Sequence, residues 1–315
     1  MALRETCAVQ FFKEKQDTFV NIQCPVCDVD GNFIYFKYGF SHDKCQKCCT
    51  VWCNPRPTEA SLVEYYATSE SAKMWTSILV STDTSRKQLQ YQPRVDSLIA
   101  TLKQDLSFIA DKAVDLGAGS GAFALCLQNK DYFSEVIAID FDEDCVNVCK
   151  QLQLKAMVGS VDQIEEGSAN LITMNDMIEH LFDPKDFLER CYSSLANNGY
   201  ISIACPNGEG FDFKLMGENT VNIVPPEHLN YFNPDSLSML LVKAGFQIVA
   251  VETPGILDVE IVKREFKAGN LSLDNNMFLK TLMSHNDDAI RRQFQSFLQV
   301  TKQSSHMVVI AKKNL

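Results

Sequence analysis

The chain has 315 residues, 46% of them hydrophobic, and a formal net charge of −11. This length and composition are typical of a globular protein with one large and one small domain. An acidic surface repels polyanions, so we expect no nucleic-acid partner, and no apolar run reaches the roughly twenty residues of a membrane-spanning helix. The first residues lack the apolar segment and cleavage site of a signal peptide, which predicts a cytoplasmic protein.

Twelve cysteines in a cytoplasmic chain point to metal binding rather than to disulfides. Four of them form two CxxC pairs, which are separated by the seventeen residues 28–44. Each pair turns two thiolates toward one tetrahedral ion, so residues 1–57 are predicted to form a zinc ribbon whose metal is structural. Buried free cysteines are the alternative, and Cys49 could replace Cys48 as a ligand. The predicted zinc ligands are Cys24, Cys27, Cys45 and Cys48.

Residues 58–111 are interpreted as helices and a linker that lead from the ribbon to the main domain. Thr58 begins a capped helix, residues 69–83 are polar and read as a linker, and a helix is expected at 84–106. Leu98, Ile99 and Leu102 recur at helical spacing, so this helix is predicted to pack against the core.

A glycine-rich turn in the segment VDLGAGSGAFA, residues 114–124, joins a short apolar strand to an apolar helix. Its glycines follow the spacing GxGxG behind Asp115, whereas a dinucleotide-binding loop has the spacing GxGxxG. The tighter spacing suits a ligand without a pyrophosphate that lies close to the glycine Cα atoms. A second strand ends at Asp140, nineteen positions after Gly121, where an acid can accept hydrogen bonds from both ribose hydroxyls of an adenosine ligand.

These two motifs, D115-L-G-A-G-S-G121 and A-I-D140, resemble those of the class I methyltransferases that depend on S-adenosylmethionine (AdoMet). The resemblance implies AdoMet as the methyl donor, with Asp140 on its ribose. It also implies that Asp162 contacts the adenine edge, although a helix N-cap or a solvated acid is an equal interpretation of this residue. A Rossmann-type domain for another nucleotide is the alternative. The implied cofactor-binding residues are Asp115, Gly117, Ala118, Gly119, Gly121, Asp140, Phe141, Asp162 and Asn175.

Strands and helices alternate from residue 113 to 205, which predicts an α/β, Rossmann-like, doubly wound sheet with its ligand at the carboxyl ends of the strands. Residues 112–315 are interpreted as this methyltransferase domain. The resemblance continues through HLNYF (228–232), a helix and AGF (244–246), after which the family has a last antiparallel strand. Here residues 255–305 intervene before a strand at 306–312. This helical insertion is expected to cap the pocket or to contact a second copy in a homodimer.

The candidate catalytic residues are His180, His228 and Glu179. An oxygen nucleophile needs a base, and the unperturbed pKa of histidine lies near neutrality. Asp176-x-x-Glu179-His180 with His228 also resembles the D/E-x-x-E-H set that binds a divalent ion in some methyltransferases acting on vicinal hydroxyls, where the ion lowers the hydroxyl pKa. Many relatives carry EH here without a metal, where it shapes the pocket. The structural alternatives are a lid histidine bonded to backbone for His228 and a satisfied, partly buried histidine for His180.

The N-terminal pattern of CxxC, CxxC, Asn54-Pro-Arg-Pro57 and a helix ending in EYY resembles the zinc module of methyltransferases that modify sugars and polysaccharide precursors. The leading hypothesis is methyl transfer to a hydroxyl of a small-molecule acceptor, a sugar or glycan precursor, with a carbon as the second choice. RNA 2′-O-methylation is a further hypothesis, which the acidic charge opposes. A non-catalytic zinc-ribbon scaffold is the last, and the intact glycine loop and Asp140 oppose it.

Overall fold

The computed structural model describes residues 2–71, 74 and 86–314. In chain order, its strands are β1 (Asn32–Lys37), β2 (Phe40–Lys44), β3 (Val51–Cys53), β4 (Lys112–Leu116), β5 (Glu135–Asp140), β6 (Lys155–Val158), β7 (Ala169–Asn175), β8 (Leu195–Pro206), β9 (Asn230–Tyr231), β10 (Phe246–Glu252) and β11 (His306–Lys313).

The α-helices in chain order are α1 (Ala2–Phe12), α2 (Glu59–Thr68), α3 (Gln92–Leu102), α4 (Ala122–Gln128), α5 (Glu143–Gln151), α6 (Pro184–Ser194), α7 (Phe211–Met216), α8 (Pro234–Lys243), α9 (Asp258–Lys267), α10 (Met277–Ser284) and α11 (Asp288–Val300). A π-helical turn, Lys87–Tyr91, precedes α3. Most of the predicted linker and the start of the helix expected at 84–106 lie outside the described residues. No helix in the described ranges is long and apolar enough to cross a membrane.

The large sheet has the strand order β10-β11-β8-β7-β4-β5-β6. The five strands from β8 to β6 run parallel, and β11 is antiparallel to both of its neighbours. Successive side chains alternate between the two faces. Ala113 therefore packs with α3, α4 and α5, and Val114 packs with α6 and α8 on the other face. This is the predicted doubly wound fold, and Leu98, Ile99 and Leu102 are buried as their spacing predicts.

The small sheet has the order β1-β2-β3-β9 and is built largely from the predicted ribbon. Its last strand, β9, comes from the main domain and pairs antiparallel with β3 through Val51–Tyr231 and Trp52–Asn230. The ribbon residues Cys24, Val26 and Trp52 belong to the same apolar core as one face of the large sheet. The predicted module of residues 1–57 is thus completed by two residues far along the chain.

Helices α9, α10 and α11 occupy most of the segment 255–305, where helices were expected. Their buried residues form a separate apolar cluster with Phe211 and Met216 of α7. The strand expected after this segment begins at His306 and runs one residue further than expected, to Lys313. The return of the chain through β11 brings His306 to the carboxyl ends of the parallel strands, opposite Pro206 of β8.

Candidate active site

The glycine loop leaves β4 and folds back toward the end of β5. The backbone N–H groups of Gly117 and Ala118 both donate to the carbonyl of Ile139. Gly117 has a φ of 67°, and a Cβ there would lie 3.0 Å from the side chain of Met177. A side chain is therefore excluded at this position by both the backbone conformation and the available space. The contact also places the turn that follows Met177 directly beside the loop.

Asp140 is held in place by the loop that it faces. One carboxylate oxygen accepts a 2.7 Å hydrogen bond from the N–H of Gly119, and the other accepts a 2.9 Å bond from the N–H of Asp142. Burial raises the pKa of Asp140, and these backbone donors act in the opposite direction. Phe141, the next residue, is 69% exposed, and its ring centroid lies 5.9 Å from that of Tyr66.

Asp115 lies at the end of β4, fully enclosed by protein. Burial raises its pKa to about 7, although hydrogen bonds from Thr173 (2.7 Å) and Asn175 (3.4 Å) favour the ionised form. Asn175 in turn accepts a 2.6 Å bond from Arg94 of α3. The structure therefore brings Asp115 and Asn175 together at the ends of neighbouring strands, and their role in cofactor binding stays a prediction.

Asp162 lies in a short 3-10 turn, Val161–Gln163, whose N-cap is Ser160. Its side chain is 67% exposed and forms a short ion pair with Arg190 of α6. It does not cap this turn, so the N-cap interpretation is wrong, and the adenine contact stays a prediction.

His180 and His228 form an imidazole pair whose ring centroids are 4.6 Å apart at an angle of 80°. His180 ends the short 3-10 turn Ile178–His180 after β7, and His228 lies two residues before β9. The hydroxyl of Tyr66 donates to the carbonyl of Glu227, so its oxygen accepts from Nδ1 of His180 at 3.1 Å. Nδ1 of His228 donates to the carbonyl of Asn222 at 2.9 Å.

These bonds assign the proton of each neutral imidazole to Nδ1 and leave the lone pair on Nε2. Burial lowers the pKa of His180 to about 4 and lowers that of His228 well below its usual range. Both rings are therefore neutral near pH 7. His228 is bonded to backbone through Nδ1, as the lid-histidine alternative predicts. Its Nε2 remains available to accept a proton.

Glu179 points its carboxyl group at this pair. Its Oε1 lies 4.0 Å from Nε2 of His228, and neither carboxyl oxygen has a hydrogen-bond partner in the described part of the chain. Burial raises its pKa well above the usual range. Ligand atoms of Glu179, His180 and His228 lie within 4.8 Å of one another, so this carboxyl and the two imidazoles could hold a divalent cation.

Asp176 does not belong to that cluster, contrary to the four-residue metal set considered above. The chain turns at Asp176 with a φ of 53°, and the side chain departs toward the other side of the site. Its Oδ1 lies 2.8 Å from Nε2 of His306, and its Oδ2 lies 3.9 Å from Arg86. A helical spacing between residues 176 and 180 would have placed both side chains on one face, but this segment is a turn followed by a 3-10 helix.

Sequence reasoning missed four side chains of this site: Tyr66, Arg86, Arg94 and His306. Tyr66 was noted only as the end of EYY, and Arg94 lies in an amphipathic helix, where a charged residue normally faces solvent. Their partners are 114 and 81 positions away in the chain, so local pattern carries no signal of them.

The four predicted zinc ligands converge, with their sulfur atoms within 4.8 Å of one another. The sulfur of Cys24 lies 3.6 Å from that of Cys48, and burial with the neighbouring sulfurs raises the pKa of Cys27 to about 12. Such crowding of thiols is relieved when a cation replaces their protons. Cys48, not Cys49, belongs to this cluster, and Cys53 is a packed thiol in the ribbon core.

Comparison with known proteins gives consistent results. The family model described as a methyltransferase domain matches residues 86–251. A Mycobacterium tuberculosis protein named as an S-adenosylmethionine-dependent methyltransferase is 30% identical over 121 residues, which are 37% of this chain and 42% of that protein. The mitochondrial ubiquinone biosynthesis O-methyltransferase of Saccharomyces cerevisiae is 29% identical over 124 residues, 36% of this chain and 40% of that enzyme. The chain thus spans about two fifths of the length of these relatives.

Among solved structures, a chain in the complex of the Haloferax volcanii Trm112 methyltransferase activator with a methyltransferase superposes with a TM-score of 0.53. The match covers 77% of this chain and 97% of that chain at 13% identity, so it shows a shared fold. The family match covers more than half of the sequence and includes the glycine loop, Asp140 and the turn that carries Glu179 and His180. This chain therefore belongs to the methyltransferase domain family.

Proposed function

We propose that this enzyme transfers the methyl group of AdoMet to a hydroxyl oxygen of a small-molecule acceptor. The observation that carries the proposal is the pair of unprotonated Nε2 atoms of His180 and His228, fixed by hydrogen bonds at Nδ1, beside the glycine loop. The sulfonium of AdoMet is already a strong electrophile, so the protein must align a nucleophile and remove its proton.

In the proposed reaction, the acceptor oxygen forms a bond to the methyl carbon while the carbon–sulfur bond breaks. The sulfur keeps that electron pair and leaves as S-adenosylhomocysteine. The hydroxyl proton passes to Nε2 of one histidine, and the carboxyl group of Glu179 lies 4.0 Å from Nε2 of His228.

Two observations support the proposed acceptor, one from the N-terminal module and one from the relatives. The N-terminal zinc module resembles that of sugar-modifying methyltransferases, which favours a hydroxyl of a sugar or glycan precursor. The Saccharomyces and Marinobacter relatives are named O-methyltransferases, which favours oxygen over carbon as the accepting atom. The net charge of −11 opposes RNA as the acceptor.

The test is methyl transfer by the purified enzyme from labelled AdoMet to sets of nucleotide sugars, ring hydroxyl compounds and RNA. We expect label in a sugar-linked hydroxyl, and replacement of the responsible base, His180→Gln or His228→Gln, to lower the rate by about 10²–10⁴-fold. AdoMet affinity should stay unchanged in both variants. His285→Gln, at an exposed position, is the matched control. Label in RNA or in a ring hydroxyl would replace the sugar proposal, and label on carbon would overturn O-methylation.

A second candidate function is metal-assisted O-methylation, favoured by the unpartnered carboxyl oxygens of Glu179. Burying such a group without partners costs about 1–3 kcal/mol, so the site is suited to an added positive ligand. Glu179, His180 and His228 would hold the ion, which would supply a lower pKa to a bound hydroxyl. Vicinal hydroxyls, as in sugars and catechols, would be the natural acceptors.

Binding of Mn²⁺, followed by electron paramagnetic resonance, distinguishes this candidate from the metal-free reaction. Wild-type protein should bind about one Mn²⁺ at this cluster, and Glu179→Gln should lose it. Asp176→Asn should keep it, because Asp176 pairs with His306 instead. Absence of Mn²⁺ binding by the wild type would leave the histidines as the only bases.

We further propose that Cys24, Cys27, Cys45 and Cys48 bind one structural Zn²⁺. Four thiolates complete a tetrahedral shell and leave no position for a reacting water, so this metal would take no part in methyl transfer.

A further inference from the structure

A cavity of about 130 Å³ lies between the ribbon and the main domain. Its apolar wall contains Val51 of β3, Phe213 of α7 and Ile223, which are buried and form one apolar cluster with Tyr231. Tyr35 of β1 also lines the cavity and packs against this cluster. An engineered apolar cavity of about 150 Å³ holds a benzene molecule, so this cavity has room for a single six-membered ring.

The other side of the cavity is charged and partly open to solvent. Lys44 and Glu209 line it, form an ion pair at 3.1 Å and keep about a third of their side chains exposed. Lys214 donates to the neutral amide oxygen of Gln303 at 2.6 Å, so its charge has no carboxylate partner among the residues that the structure describes. The nearby carboxylate of Glu218 is exposed, where solvent screens it. The cavity thus offers an unpaired ammonium group to an anion.

The wall of the cavity also supports the histidine pair. The ring centroid of Tyr231 lies 6.0 Å from that of Phe213 and 6.2 Å from that of His228. The hydroxyl of Tyr231 donates to the carbonyl of His228 at 3.1 Å. Asn222, which precedes Ile223 of the wall, accepts the 2.9 Å bond from Nδ1 of His228. A molecule in the cavity would therefore press on two supports of His228, although His228 does not itself line the cavity.

We propose that this cavity is a second ligand site, which binds a small aromatic carboxylate, and that its occupant adjusts the position of His228. The ring would pack against the aromatic and aliphatic wall, and the carboxylate would pair with Lys214. Burial raises the pKa of the Tyr35 hydroxyl, so this group keeps its proton and can donate to the same carboxylate. The site does not depend on which hydroxyl accepts the methyl group.

The first test separates the ring from the charge by comparing benzoate with benzyl alcohol in titrations of the full chain followed by nuclear magnetic resonance. Benzoate should bind wild-type protein with a dissociation constant of about 0.1–1 mM, and benzyl alcohol about 3- to 10-fold more weakly. Lys214→Gln should weaken benzoate by about the same factor and leave benzyl alcohol within about twofold, because only the carboxylate pairs with the ammonium group.

The second test locates the bound molecule. Ile34 lines the cavity and is 38% exposed, so Ile34→Trp can extend into the opening without disturbing the core, and it should abolish binding of both compounds. Lys267→Gln, at an exposed position of α9, is the matched control for Lys214→Gln and should change neither affinity. Equal affinities for the two compounds, or unchanged benzoate binding by Lys214→Gln or Ile34→Trp, would overturn the proposal, as would absence of benzoate binding by the wild type.

The third test concerns the effect of the ligand on His228. The ring signals of His228 are identified by their loss in His228→Gln and then recorded with and without saturating benzoate. They should shift in wild-type protein and stay unchanged in Ile34→Trp. Unmoved His228 signals in wild-type protein with the cavity filled would overturn the coupling. This measurement needs no methyl transfer, so it keeps its meaning whatever the acceptor is.

Discussion

The side-chain amide of Asn233 donates a 2.8 Å hydrogen bond to the carbonyl of Cys48, so a predicted zinc ligand is bonded directly to the main domain. Asn233 also caps α8, where its oxygen accepts from the N–H of Ser236. It lies two residues after β9, which pairs with β3 of the ribbon. The cysteine cluster, the β3–β9 pair and the segment that carries His228 are therefore connected by direct contacts.

This continuity predicts that zinc removal impairs methyl transfer more than AdoMet binding. The double variant Cys24→Ser/Cys27→Ser should lose about one Zn²⁺ per chain, measured by mass spectrometry of the metal, since two of the four ligands are gone. We expect methyl transfer to fall by at least about tenfold, because loss of the ribbon structure would displace the segment that carries His228. AdoMet affinity should change by less than about threefold. Cys49→Ser, outside the cluster, should retain zinc and activity. Full zinc retention by the double variant would refute the site.

The second prediction concerns Arg56, whose guanidinium is fully buried between the ribbon and the main domain. It donates to the carbonyls of Cys53, Phe182 and Leu229 and to the side-chain oxygen of Asn230. Arg56→Met removes these four hydrogen bonds from the buried interior, so we expect the free energy of unfolding to fall by about 3–5 kcal/mol in urea denaturation. Arg264→Met at an exposed position should change it by less than about 0.5 kcal/mol. A loss below 1 kcal/mol for Arg56→Met would mean that water replaces the guanidinium.

The third prediction concerns His42, which is fully buried between the rings of Tyr35 and Tyr231 with neither ring nitrogen hydrogen-bonded in the described chain. Burial lowers its pKa to about 3, whereas the unfolded chain titrates near 6.5. Between these values the unfolded chain binds a proton that the folded protein excludes, so stability falls as pH falls. One such group gives a slope of about 1.4 kcal/mol per pH unit.

The substitution His42→Phe keeps an aromatic ring at this position and removes the titratable imidazole. The free energy of unfolding, measured by urea denaturation between pH 6.5 and 4, should therefore depend less steeply on pH in the variant. His285→Gln, at an exposed position, should leave the slope unchanged. Equal slopes for His42→Phe and wild-type protein would show that His42 takes up its proton in the folded state.

The fourth prediction separates the two candidate adenosine contacts. Asp140 is fixed by the backbone N–H groups of Gly119 and Asp142, so Asp140→Ala should weaken AdoMet binding by more than about 100-fold in calorimetry. Asp162 is exposed and paired with Arg190, so Asp162→Ala should weaken it by less than about threefold. A large loss for Asp162→Ala would restore the adenine contact, and unchanged affinity of Asp140→Ala would remove the proposed ribose contact.

The features that sequence predicted correctly are those encoded by short-range pattern. The GxGxG spacing, the two CxxC pairs and the alternation of strands and helices each depend on neighbouring residues, and the structure contains the loop, the thiol cluster and the seven-stranded sheet. The prediction that failed concerned the direction in which a side chain points. Asp176 was grouped with His180 by its spacing, but a left-handed backbone at Asp176 turns the side chain away.

Long-range contacts were the other source of error. Tyr66 fixes the tautomer of His180, and His306 holds Asp176 across 130 positions, yet neither residue lies in a recognisable motif. A tyrosine at the end of a helix or a histidine at the start of a strand can have many structural roles, and only the folded chain shows which role it has. Strand β9 is too short to be recognised from two residues of any sequence.

The pairing of β3 with β9 also has a consequence for how the protein is made. Asn230 is 177 positions after Cys53, so it leaves the ribosome about 10–35 s later at 5–20 residues per second. During that interval β3 is an open edge beside an incomplete core, which is a hazard for aggregation. Zn²⁺ at the proposed thiol site would stabilise the nascent ribbon at this time. Zinc supply during synthesis, rather than afterwards, should therefore decide how much soluble enzyme accumulates in a cell.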